Sequence, residues 1–123
     1  MTPDQFVPIE LTDEERFVLE RGVIEWGGPA RCSDPLAVAM GFAGVDDLHA
    51  RRGALLAALE TGTMSAGDWR RVVMATEIVF ASDLVGSGVE WSTTTGLSDE
   101  HTLAALRRIQ RKLPGAVFAV ARR

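Results

Sequence analysis

Two carboxylates, Glu77 and Asp83, stand in the most apolar stretch of this 123-residue chain, VVMATEIVFASDLV (72–85). An ionised carboxylate in apolar surroundings is costly without a partner. Two facing carboxylates can do acid–base work. On one helix, however, these two are about 600° apart around the axis, which leaves them pointing about 120° away from each other. They do not form a facing pair by themselves. Each is expected to meet an arginine of another helix or the solvent edge. The alternative is a small-molecule binder or enzyme that uses Glu77/Asp83 in a pocket between helices.

The cations are concentrated at the other end. Residues 101–123 hold six basic and no acidic side chains, whereas residues 1–100 carry a balance of −10. Arg107, Arg108, Arg111 and Lys112 make two i, i+4 pairs, which form a stripe on one helix face. Arg122 and Arg123 extend the charge. Such a face suits an anionic partner surface. It also suits the last turns of a helix, where the dipole favours cations.

The Glu-Trp dipeptides are a further candidate. Glu25-Trp26 precedes Ser33-Asp34, and Glu90-Trp91 precedes Ser98-Asp99 with the same spacing, 65 residues later. The match fades outside residues 19–40 and their counterparts, so local convergence is favoured over duplication: helix end, tryptophan anchor, loop, Ser-Asp cap. Trp26 completes the apolar stripe Leu19, Val23, Trp26 and is expected in the core. Trp91 lies in a polar loop, GVEWSTTTG. With Glu90 it reads as an exposed partner-binding anchor, a role in which tryptophan is frequent.

The segment PLAVAMGFAGVDDLHARRGALLAAL contains Ala37, Met40, Gly41 and Phe42. Their spacing resembles the first helix and turn of helix-turn-helix proteins, which implies a DNA-binding regulator with Arg51 and Arg52 as contacts. The second helix opens on Asp46-Asp47, whose charge would face phosphates or bases. Overall net charge is −4, whereas nucleic-acid binders are usually basic. Nucleic acid is thus the alternative partner and not the leading one.

Other chemistry lacks its residues. One cysteine and two histidines offer neither Cys-x-x-Cys nor His-x-x-x-His spacing, so no metal is expected. Cys32 precedes a helix start, which can lower a thiol pKa, but neither His49 nor His101 is placed as a base by the sequence. No phosphate-binding glycine loop or nucleophile elbow occurs. No cofactor is expected.

Five helices would have to position these residues. Thr12-x-x-Glu15 is a capping box and opens a helix over about 13–25, which Gly27-Gly28-Pro29 stops. Ser33-Asp34-Pro35 starts a second over 35–41. The third covers 46–61 with Leu48, Leu55, Leu56 and Leu59 on one face. The fourth, 66–86, is apolar nearly all round and is expected at the centre. The fifth, 99–113, turns Leu103, Leu106, Ile109 and Leu113 inward. The expectation is an all-α, single-domain bundle, with an extended arm at 1–11 and a tail at 114–123, as a strand or a segment packed back.

Apolar and charged contents of 46% and 24% are ordinary for a folded domain. The lone cysteine fits a reducing compartment, no secretory signal or membrane-length apolar run occurs, and a cytoplasmic protein is expected. The leading expectation is a non-catalytic interaction or regulatory protein with an unknown protein partner. Homodimerisation through apolar helix surface is the second way it could associate.

Overall fold

The computed structural model describes residues 5–28 and 30–119. Pro29, Arg122 and Arg123, on which the sequence suggests a helix stop and added positive charge, lie outside them. So do residues 1–4 of the arm and the end of the tail from 120.

The fold is an all-α bundle with one small sheet. Strand β1 (Phe6–Pro8) pairs antiparallel with β2 (Thr63–Ser65), Val7 opposite Met64. The helices are α1 (Asp13–Ile24), α2 (Asp34–Ala39), α3 (Val45–Thr61), α4 (Ala66–Ala81), α5 (Trp91–Thr95), α6 (Asp99–Lys112) and α7 (Gly115–Ala119). The expected arm is therefore extended, and it is fastened. Val7 and Met64 are both buried, and the Trp69 indole donates to the Val7 carbonyl at 2.7 Å.

The helix starts follow from side-chain caps. Thr12 and Glu15 complete the capping box of α1. Ser33, Ser65 and Ser98 each accept a backbone N–H three residues on, at the starts of α2, α4 and α6. Helix α4 is central, as its pattern predicts: it packs on α1, α7 and β2 and buries Trp69, Val72, Val73, Ala75, Thr76 and Val79. Its closest crossing is with α1. Gly22 lies directly against the Thr76 side chain, so a Cβ there would collide with it.

Three expectations are corrected, the end of α4, the burial of Leu84 and the inner face of α6, and the tail takes one of its two expected forms. Helix α4 ends at Ala81 and not at 86, because Ser82 is extended and its carbonyl and hydroxyl accept from Gly86 and Val85. Short polar side chains of this kind compete with the helix for backbone groups. Leu84, placed by its apolar context in the central helix, is instead 93% exposed. On α6 the buried face is Thr102, Ala105, Leu106 and Ile109, and Leu103 is exposed. Leu106 and Ile109 are shared with the expected stripe, while Thr102, which accepts from the Trp91 indole, is buried where Leu103 was expected. The tail forms a short helix, α7, that packs back on α4 through Ala116 and Val117. No described helix is long and apolar enough to cross a membrane.

Candidate interaction surface

The buried charges determine which polar groups remain for function. Glu15 is fully buried. Its carboxylate accepts from Lys112 at 2.5 Å, from Arg108 at 3.0 Å and from the Thr12 backbone N–H at 3.0 Å. Arg108 also pairs with Glu14 at 2.6 Å. Burial alone would raise the Glu15 pKa. Lys112, the Thr12 N–H and Arg108 outweigh it and hold the carboxyl below its ordinary range. Half of the basic stripe on α6 is therefore an internal clasp to α1. Arg107 donates to Gln110 at 2.8 Å, and Arg111 is exposed.

Glu25 is the second buried acid. It accepts from Arg21 at 3.0 Å, from the Ser87 hydroxyl at 2.8 Å and from the Thr94 hydroxyl. The acid of the first Glu-Trp pair thus holds the loop on both sides of the second. Nothing in either copy's spacing announces this contact, which joins residues 62 and 69 positions apart.

The exposed-anchor reading of Trp91 is overturned. Trp91 begins α5 and is fully buried. Its ring meets Phe80 edge-on, with centroids 5.6 Å apart and planes at 73°, and its indole N–H donates to Thr102 Oγ1 at 2.7 Å. The loop is polar, but its one large apolar side chain points into the gap between α4 and α6. Glu90 is exposed. Trp26 is core as expected, donating to the Ala75 carbonyl at 3.1 Å.

Of the residues assigned to DNA, Arg51 is exposed and Arg52 half-buried. Arg51 bonds Asp47 at 3.0 Å, and Asp47 in turn accepts the Ala43 N–H, the first of the contacts that lower its pKa. Arg52 lies against Gly27. Cys32 fits an inert thiol rather than an activated one. Burial, then the nearby Asp34, push its thiol up and not down. Among the described residues no three His, Cys, Asp or Glu side chains are grouped to hold a metal.

Glu77 and Asp83 are not brought together. Glu77 accepts from Gln110 at 2.7 Å and edges a groove of about 270 Å³ between α4, α6 and α7. Its walls are Val73, Met74, Leu113, Val117 and Phe118, with Arg70 and Gln110 at the polar edge. A wider hollow of about 520 Å³ runs along Pro8–Thr12. Its lysine, Lys112, is already bonded to the Glu10 carbonyl and Glu15.

Asp83 lies in the turn that joins α4 to α5, and this turn is the feature the sequence reading missed. Ser87 N–H donates to Val79 O at 2.7 Å, Gly86 to Ser82 at 3.1 Å, and Arg31 to Val85 O at 2.7 Å. Asp83 accepts the Val89 N–H at 3.1 Å, and Ser87 is clamped to Glu25. Gly86 is required, since a Cβ would stand 2.5 Å from the Val79 carbonyl oxygen. Gly88 has φ +44°, a conformation that favours glycine. On this firmly held turn Leu84 is 93% and Val89 75% exposed, with Asp83 and Glu90 exposed beside them. The available signal was an apolar residue pair inside a Ser-Asp-Gly-Ser-Gly punctuation, SDLVGSGV.

Comparison with known proteins gives no significant match to any family model, curated protein or solved structure.

Proposed function

We propose that this chain is a small, non-catalytic interaction or regulatory protein whose docking element is the 82–90 turn. The observation that carries the reading is the exposure of Leu84 and Val89 on a hydrogen-bonded turn. Single exposed apolar residues are ordinary. Here two sit on one fixed loop, held by backbone and side-chain hydrogen bonds to α4, Arg31 and Glu25 and by two glycines. An anchor that is already ordered loses little conformational freedom on binding.

The flanking Asp83 and Glu90 suit a partner with an apolar pocket and a basic rim, since complementary charge steers encounter and sets register. The pairing of Glu15 and Glu25 with neighbouring donors supports the non-catalytic part of the reading. Both acids are engaged in holding helices and loops together. A cytoplasmic setting is supported by the single half-buried cysteine.

The test is capture from native lysate with the wild-type chain and with the variant carrying Leu84→Ser and Val89→Ser. A partner retained by the wild type should fall about tenfold or more with the variant. Equal retention would overturn the reading, as would turnover of a metabolite by the purified chain.

A further inference from the structure

We propose that the 82–90 turn of one copy seats in the α4–α6–α7 groove of a second copy, giving a two-fold pair in which the contact is made twice. The inference rests on the reading of that turn as a docking element, and it names the partner as this chain itself. Leu84 does not fill its own molecule's groove, being 93% exposed. The groove has no occupant among the described residues, and Phe118 at its edge is 52% exposed. An aliphatic knob just past the end of α4 and an aliphatic slot between α4, α6 and α7 are thus both without an occupant or socket among the described residues. Both would be covered by the same contact. A two-fold arrangement needs one patch that holds both halves of the match.

Size and charge point the same way. At about 270 Å³ the groove falls just below the roughly 300–1,000 Å³ usual for small-molecule sites, and its walls are aliphatic side chains and Phe118. Its polar edge carries Arg70, and Arg107 reaches that edge by donating to Gln110, which in turn donates to Glu77. Asp83 and Glu90 flank the knob. Seating the turn places two carboxylates near two arginines, and Glu77 is already engaged by Gln110.

Sedimentation velocity of the full chain up to about 1 mM, for the wild type and three variants, tests the proposal. The wild type should form a dimer. Leu84→Asp on the knob, and separately Phe118→Ser or Arg70→Glu at the groove, should each weaken it about tenfold or more. All three positions of the test are at the surface or half exposed, and matched melting curves check that the fold is kept. Mixing Leu84→Asp with Phe118→Ser should restore part of the association, because one intact knob then meets one intact groove. A wild type that stays monomeric overturns the pairing, as does a dimer indifferent to Leu84→Asp or to both groove variants. If that monomer still captures another protein through Leu84, the docking turn stands and only the self-pairing falls. If capture is also indifferent to Leu84, both fall.

Discussion

Trp91 and Thr102 are joined by a 2.7 Å hydrogen bond, indole N–H to hydroxyl, with both side chains fully buried. The Thr102 hydroxyl in turn donates to the Ser98 carbonyl at 2.8 Å, so the bond links α5 to the cap of α6. Replacing Thr102 by valine keeps the shape and orphans the indole N–H. The expected loss is about 1–3 kcal/mol of unfolding free energy, read by denaturant unfolding. No change would mean the indole is not buried against α6.

The Glu15 clasp makes stability depend on pH. Its folded-state pKa is lowered. The stabilisation is therefore fully present above the unfolded value of about 4.3 and is lost as pH falls through the lowered folded value. Glu15→Gln should remove this acid-side dependence and cost about 2 kcal/mol at pH 7. That is less than a wholly buried pair, because Arg108 and Lys112 are 41% and 34% exposed and can rehydrate. Melting curves from pH 3 to pH 7 read both effects.

Glu20 behaves in the opposite sense. Burial, and then the carboxylate of Glu60, raise its pKa. Its contribution is present below the unfolded value and is lost as pH rises through the raised folded one. Glu60→Gln should therefore stabilise the chain at pH 7, by about 0.5 kcal/mol, since one of the two acids is exposed. A destabilised Glu60→Gln variant would show that the two acids do not repel.

Cys32 should be a slow thiol. With its pKa raised by burial and by Asp34, little thiolate exists at neutral pH. Iodoacetamide should modify the native chain more slowly than a cysteine peptide, and unfolding should remove the difference. Faster modification of the native chain would reverse the assignment.

Much of the architecture was legible because it is written in local signals. The Thr12–Glu15 box and the serines at 33, 65 and 98 mark helix starts through bonds three residues long, and the apolar middle of α4 announces its central place. What failed was non-local. Arg108 and Lys112 looked like a free basic face because their partners, Glu14 and Glu15, lie more than 90 positions away. Trp91 looked exposed because its loop is polar, although Phe80 and Thr102 enclose it. Leu84 looked buried because its neighbours in sequence are apolar. Its position is set by Ser82 and by Gly86, which end the helix before it.

The central claim is that Leu84 and Val89 serve association and not folding. Unfolding free energy and partner retention, measured on the same preparation of the Leu84→Ser, Val89→Ser variant, test it most directly. The expected result is stability within about 0.5 kcal/mol of the wild type, as for exposed positions, together with loss of association. Lost stability, or full stability with association unchanged, would contradict the claim.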